Sequence, residues 1–226
     1  MPTTSLVLFD IDGTLLSAGR ASREALHEAF HRNGVPEMVF DGYDFSGKTD
    51  PQIVRELLAA RGVEGVAVER VIEDYLEELE TRIRPGEIVA KRGAAELLAT
   101  LAEHPDVTLA LLTGNHERGA RAKLAPLDFN RYFPFGAFGS DHADRYELTP
   151  IAVARARECT GRAFAGKQVV VVGDSIHDVA CGRAFGVKSV AVATGLTSSE
   201  SLARENPDHL FPDFSDVPAV AGAILG

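Results

Sequence analysis

The chain has 226 residues, of which 45% are hydrophobic and 25% charged, and this ordinary globular composition allows one large domain or a domain carrying a smaller insertion. Its formal net charge of −10 argues against nucleic-acid binding, which depends on clustered lysines and arginines. The N-terminus lacks a basic segment followed by a long apolar stretch, and the apolar runs are far shorter than the ~20 residues of a membrane span. We therefore expect a soluble, cytoplasmic protein that binds neither nucleic acid nor membrane.

In chain order, short apolar runs that end in turn-forming or polar residues alternate with helical stretches. Such runs are typical of buried parallel strands, and the alternation predicts a parallel sheet with helices on both faces. The predicted strands cover residues 6–9, 108–112, 168–172 and 188–192. The predicted helices between and after them cover residues 94–102, 117–125, 151–158 and 179–185.

Residues 17–84 differ from the rest because no strand-like run of comparable strength occurs there. Helices are predicted at 21–32, 52–60 and 68–82, with Asp50 as the N-cap of the second. The fold class is therefore α/β, a Rossmann-like parallel sheet with an inserted α-helical cap. The predicted core domain comprises residues 1–16 and 85–226, and the cap would cover the edge of the sheet where open α/β sheets bind ligands.

Acidic side chains follow two of the predicted strands. Asp10 and Asp12 are two residues apart in extended backbone and therefore point to the same side, while Asp174 and Asp178 follow another strand. Four carboxylates at one sheet edge repel one another unless a cation balances them. Oxygen ligands favour Mg²⁺, so the spacing predicts a magnesium site. Individually, these residues could instead be a turn or a helix N-terminal charge.

Three segments together resemble the signatures of the haloacid dehalogenase-like superfamily. Residues 10–14, Asp-Ile-Asp-Gly-Thr, resemble the first signature, residues 113–115, Thr-Gly-Asn, the second, and residues 173–178, Gly-Asp-Ser-Ile-His-Asp, the fourth. Their order and the insertion after the first match the superfamily over nearly the whole chain. The helical insertion resembles the cap of the phosphoglycolate phosphatase-like branch.

This resemblance implies roles for the acidic residues. Asp10 would attack phosphorus and become an aspartyl phosphate. Asp12 would protonate the leaving alcohol and then deprotonate the hydrolytic water. Mg²⁺ would be held by the Asp10 carboxylate, the Asp12 carbonyl and Asp174, with Asp178 as a further ligand or as a holder of its waters.

The resemblance also implies a phosphate-binding segment after the second long strand. Thr113 and the amides that follow it, at Gly114 and Asn115, would receive phosphoryl oxygens. A helix that begins near His116 would add the positive end of its dipole. The alternative is that Thr113 is only a helix N-cap.

The third signature of the superfamily, a lysine, is missing. Alignment on Pro150 places Glu147 at the lysine position, and Thr149 with Pro150 is expected to open a helix. Arg145 is our prediction for the cation, because guanidinium suits phosphate. Lys123 and Lys48 are the alternatives.

Lys48 lies in the predicted cap, within residues 46–50, just before a predicted helix. A cap loop at this place could contact the substrate, and it resembles a substrate-facing loop of related phosphatases. The alternative is a solvated lysine beside a helix start.

The predicted function is that of a Mg²⁺-dependent phosphatase acting on a small phosphorylated metabolite through an aspartyl-phosphate intermediate. Phosphoglycolate is suggested as a substrate by the family resemblance alone. The sequence does not indicate the oligomeric state. A sugar phosphomutase of the same superfamily is the main alternative. A dehalogenase is disfavoured by Asp12, and a non-catalytic phosphate-binding protein by the intact Asp10, Asp12 and Asp174.

Overall fold

A computed structural model of the chain describes residues 4–84 and 86–226. The strands in this part are β1 (Ser5–Phe9), β2 (Leu16–Ser17), β3 (Val89–Ala90), β4 (Val107–Thr113), β5 (Gly136–Phe138), β6 (Val169–Gly173), β7 (Lys188–Val192) and β8 (His209–Phe211). The helices are α1 (Ala21–Arg32), α2 (Asp50–Ala60), α3 (Val68–Arg82), α4 (Ala94–Ala102), α5 (Glu117–Leu124), α6 (Leu148–Thr160), α7 (Ile176–Ala184), α8 (Ser199–Arg204) and α9 (Val217–Leu225).

The main sheet is parallel and runs in the order β5-β4-β1-β6-β7-β8. Its central strand β1 is buried along its whole length, which accounts for its unbroken apolar sequence. Phe9 pairs with Leu111 of β4 and with Val172 of β6. The carboxyl ends of these three strands therefore lie within two residues of one another in register, at one edge of the sheet.

The fold class and the four predicted strands are confirmed, with strand ends within one residue of the predictions. The short strands β5 and β8 were missed, because three residues are too few for a pattern. The antiparallel ribbon formed by β2 and β3 was also missed. This ribbon joins the two chain segments that flank the helical insertion.

Two predicted helix N-caps were wrong, Asp50 and Thr149. The N-cap of α2 is Thr49, whose Oγ1 accepts a hydrogen bond from the Gln52 amide at 3.2 Å, so Asp50 is the first helical residue and its carboxylate is free for other contacts. Helix α6 begins at Leu148 and directly follows a 3₁₀ turn, Arg145–Glu147, so Thr149 is buried in the first helical turn rather than capping it.

The helical segment has an apolar cluster of its own, built from α1, α2 and α3 and separate from the clusters on the two faces of the sheet. Its largest fully buried members are Phe30, Leu76 and Leu79. This separate cluster agrees with a distinct cap, but the bounds 17–84 stay a prediction. Pro85, at the second predicted junction, lies outside the described residues, as do residues 1–3. In the part of the chain that the structure describes, we find no helix long and apolar enough to cross a lipid bilayer.

Candidate active site

Three of the four predicted carboxylates meet at the carboxyl edge of the sheet. Asp10 follows β1, Asp174 follows β6, and Asp178 lies in the first turn of α7. One carboxylate oxygen from each lies within 4.8 Å of the others, and all three residues are buried. The register of β1 with β6 brings Asp10 and Asp174 together, and the first turn of α7 adds Asp178.

The electrostatics of this cluster fit a bound cation. Burial raises the pKa of Asp10 to about 6, an effect that the nearby Arg145 charge opposes. Burial, together with the charges of Asp10 and Asp178, also raises the pKa of Asp174. Buried carboxylates that repel one another are the donor set that a hard divalent ion such as Mg²⁺ requires, so the residues present fit this metal.

The turn after Asp12 brings the backbone against Asp174. Gly13 has φ of +88°, and a Cβ at this position would lie 2.4 Å from Asp174 Oδ2, so both the backbone angle and the space require glycine. The next residue, Thr14, is fully buried and donates from Oγ1 to Asp174 Oδ1 at 2.6 Å. Sequence reasoning gave Thr14 no role, although it belongs to the first signature segment.

Arg145 is the cation beside the predicted nucleophile. Its side chain is 4% exposed, and Nη2 lies 3.2 Å from Asp10 Oδ1 and also contacts Asp178 Oδ1. The side chain of Asp144 accepts from the Tyr146 amide at 2.9 Å and so caps the 3₁₀ turn that carries Arg145. Glu147, which occupies the lysine position in our alignment, is exposed.

Both carboxylate oxygens of Asp178 already have protein partners. Oδ2 accepts from the Ser175 amide at 3.0 Å and from Ser175 Oγ at 2.6 Å, and Oδ1 contacts Arg145. Ser175 is in turn the N-cap of α7. Asp178 is therefore fixed in place and fixes Arg145.

The side chain of Asp12 lies apart from the other carboxylates and belongs to a second network. Its Oδ2 accepts from Lys123 Nζ at 2.7 Å and from Asn115 Nδ2 at 2.7 Å. Lys123 Nζ also donates to Asn115 Oδ1 at 2.6 Å, and Asn115 Nδ2 donates to Thr113 Oγ1 at 2.9 Å. Burial opposes protonation of Lys123, but the Asp12 charge raises the pKa of Lys123 above its usual value. Lys123 thus contacts Asp12, whereas Arg145 contacts Asp10.

The helical segment closes over these residues and leaves a cavity of about 410 Å³ between the two parts. Asp10, Thr113 and Arg145 line its floor, and Leu26, Phe45, Ile53, Val54 and Tyr75 supply apolar lining from the helical segment. Lys48 also lines the cavity, but its Nζ donates to Glu56 Oε2 at 2.7 Å and lies 4.2 Å from the centre of the Tyr43 ring.

The start of α5 is in contact with the helical segment. The N-cap of α5 is His116 rather than Thr113, and the His116 amide donates to Asp50 Oδ2 at 2.7 Å. The backbone comes close as well, because a Cβ on Gly114 would lie 2.0 Å from the Lys48 carbonyl oxygen. Sequence reasoning treated Asp50 only as a helix start and missed this contact.

A sequence model of the haloacid dehalogenase-like hydrolase family matches residues 4–186. The chain belongs to this family. It is similar to a phosphoglycolate phosphatase of Pseudomonas fluorescens strain Pf-5, with 30% identity over 207 residues that cover 89% of this chain and 74% of the relative. A phosphoglycolate phosphatase of Photorhabdus laumondii is 25% identical over 219 residues, covering 96% and 92% of the two chains.

The fold has close counterparts among solved structures. A hydrolase from Pseudomonas syringae superimposes with a TM-score of 0.73 at 23% identity, and the match covers 97% of this chain and 98% of that one. This likeness concerns the fold alone. Family membership and the curated relatives together make the chain an enzyme, a phosphoric monoester hydrolase.

Proposed function

We propose that this enzyme is a Mg²⁺-dependent phosphatase that hydrolyses a small phosphomonoester through an aspartyl phosphate on Asp10, as a phosphoglycolate phosphatase-like enzyme would. One observation carries the proposal. A buried carboxylate lies at the floor of the cavity beneath the helical segment, with a buried arginine 3.2 Å away and two more buried carboxylates beside it. A nucleophile, a fixed cation and an oxygen-ligand site for a metal are the parts that phosphoryl transfer needs.

In the first step, a carboxylate oxygen of Asp10 forms a bond to phosphorus while the bond from phosphorus to the leaving oxygen breaks. Asp12 gives its proton to that oxygen, so the product leaves as an alcohol. Arg145 faces the equatorial phosphoryl oxygens and stabilises the charge on them.

In the second step, water attacks the phosphorus of the aspartyl phosphate. Asp12 accepts the proton of that water, the bond from phosphorus to Asp10 breaks, and inorganic phosphate leaves. Lys123 and Asn115 both donate to Asp12 Oδ2 and thereby fix the orientation of the Asp12 side chain. The Thr113 hydroxyl and the Gly114 amide are our proposed partners for the phosphoryl oxygens, because both residues line the cavity beside Asp10.

Mg²⁺, when bound, neutralises charge on the phosphoryl group and orients it for attack. The Asp10 carboxylate, the Asp12 carbonyl and Asp174 are the ligands that we propose. Since both oxygens of Asp178 have protein partners, we assign Asp178 the holding of Arg145 and of metal-bound water rather than direct ligation.

We further propose that residues 17–84 act as a cap that excludes water and selects the substrate, with Lys48 contacting the substrate. Its position at the cavity wall supports this role. To contact a substrate, Lys48 would have to break its ion pair with Glu56. A substrate with an anionic leaving group would compete with Glu56 for the Lys48 ammonium.

The test is release of phosphate from a panel of phosphorylated metabolites, including phosphoglycolate, with and without Mg²⁺. We expect metal-dependent release that is lost in the Asp10→Asn variant. Metal-independent release, or a fully active Asp10→Asn variant, would contradict the mechanism. If a sugar phosphate yields an isomerised product instead of free phosphate, the enzyme is a phosphomutase.

A further inference from the structure

We propose that Asp50 of the helical segment is a positioning residue for the acid and base Asp12, acting through the loop of residues 113–116. This inference rests on the proposed role of Asp12. It assigns Asp50 a function beyond starting a helix: the closed helical segment completes the geometry of the proton donor.

The first step of the argument is that Asp50 bonds to both sides of Asn115. The Asp50 amide donates to the Gly114 carbonyl oxygen at 2.8 Å, and Asp50 Oδ2 accepts from the His116 amide at 2.7 Å. A single residue of α2 therefore fixes the two neighbours of Asn115 in the chain. A carboxylate suits this place, since it bonds strongly to backbone N–H groups and lies at the positive N-terminal end of α5.

Neighbouring contacts hold the same loop in the same place. The Asn115 carbonyl oxygen accepts from the Gly139 amide at 2.8 Å, and Thr49 Oγ1 donates to the Ala143 carbonyl oxygen at 2.6 Å. The backbones at Gly114 and Lys48 lie so close together that residue 114 has no room for a side chain. The beginning of α2 is thus docked on two loops of the sheet domain.

The second step runs from Asn115 to the acid. Asn115 Nδ2 donates to Asp12 Oδ2, and Asn115 Oδ1 accepts from Lys123, which donates to the same Asp12 oxygen. Asp12 has a side chain that is 40% exposed, so these bonds rather than packing define its orientation. Movement of Asn115 would displace the proton donor from the leaving oxygen.

This arrangement predicts an effect that depends on the leaving group. An alkyl phosphate needs a proton on its leaving oxygen, whereas 4-nitrophenyl phosphate releases a stable phenolate without one. Loss of the Asp50 carboxylate should therefore slow the alkyl substrate selectively. Displacement of a reacting group by about 1 Å can cost roughly 10²-fold in rate, and we expect a loss of this size for the alkyl substrate in Asp50→Ala.

The experiment measures kcat and KM for one alkyl phosphate and for 4-nitrophenyl phosphate with saturating Mg²⁺. Because kcat/KM reports the steps up to the aspartyl phosphate, it excludes the later hydrolysis step, in which Asp12 would act as a base. Asp50→Ala removes the acceptor, Asp50→Glu displaces it, and Asp50→Asn keeps a neutral acceptor. Asp41→Ala, at an exposed carboxylate of the same helical segment, is the matched control and should resemble the wild type.

We expect Asp50→Ala and Asp50→Glu to lose far more kcat/KM on the alkyl substrate than on the aryl one, and Asp50→Asn to recover part of that loss. If Asp50→Ala does not fold, the selectivity of Asp50→Glu decides. Equal losses on both substrates, no loss, or a rise in KM alone would overturn the proposal. A wild-type enzyme without Mg²⁺-dependent phosphatase activity would instead refute the proposed function itself.

Discussion

Truncation of Arg145 should abolish most activity and also destabilise the protein. Arg145 is 4% exposed and reaches Asp10 and Asp178, which are themselves buried. In Arg145→Ala these two carboxylates would face each other and Asp174 without a protein cation. The same change would remove the charge that we assign to the equatorial phosphoryl oxygens.

The expected size of both effects follows from the geometry. Two unit charges 3.2 Å apart attract by about 5 kcal/mol at an effective dielectric constant of ~20. Because Arg145 is shared between two carboxylates, its attraction to each of them is weaker than this value. Removing one fixed electrostatic contact typically costs about 10²–10³ in rate, or ~3–4 kcal/mol, and breaking a buried ion pair costs ~3–5 kcal/mol of folding stability.

The assay pairs kcat/KM for phosphate release with urea unfolding of the same preparation. Arg145→Lys should recover part of the rate, because its amine can donate to both carboxylates but cannot copy the planar fork of the guanidinium group. Glu147→Gln is the matched control, since Glu147 is exposed and lies two residues along the chain; we expect little change. A folded Arg145→Ala protein with wild-type kcat/KM would refute the assignment of Arg145.

Three further changes test the site. Asp10→Asn should lower kcat by several orders of magnitude while the unfolding midpoint stays close to that of the wild type. If the Asp10→Asn variant still turns over and a phosphoenzyme can still be trapped from it, the nucleophile assignment is contradicted. Asp174→Ala should raise the Mg²⁺ concentration needed for half-maximal activity by at least ~10–100-fold, the loss typical of residues that only support a ligand, and an unchanged metal titration would exclude Asp174 as a ligand. Gly114→Ala would place a Cβ 2.0 Å from the Lys48 carbonyl oxygen, so closure should fail and KM should rise with the fold retained; wild-type kinetics would show that closure does not need this contact.

The acidic cluster could be predicted from the sequence because the sheet itself produces it. Asp10 follows β1 and Asp174 follows the neighbouring strand β6, and parallel strands in register bring such residues together. Thr113 was proposed from the resemblance to the second signature, and it lies at the end of β4 on the other side of β1. These contacts depend on strand order and strand ends, both of which leave a clear pattern in the sequence.

The contacts made by long cationic side chains could not be predicted in the same way. Arg145, Lys123 and Lys48 were all candidates for one role, and each could reach several groups from its place in the chain. The structure places Arg145 at Asp10, Lys123 at Asp12 and Lys48 at Glu56. That outcome depends on the 3₁₀ turn before α6 and on how the helical segment packs on the sheet, neither of which has a local sequence signal.

The charges of the site explain why this division of the cations is stable. Among the described residues, Arg145 contacts Asp10 and Asp178, whereas Lys123 contacts Asp12, so each cation is bound to a different part of the acidic set. Asp174 has no ion-pair partner among the described residues, and a divalent ion would neutralise negative charge where Asp10 and Asp174 meet. A phosphoryl group could then approach Asp10 against less repulsion, while Glu147 is exposed and therefore weakly coupled to the site. The missing lysine of the third signature is thus compatible with the same chemistry, provided that an arginine enters from the neighbouring turn.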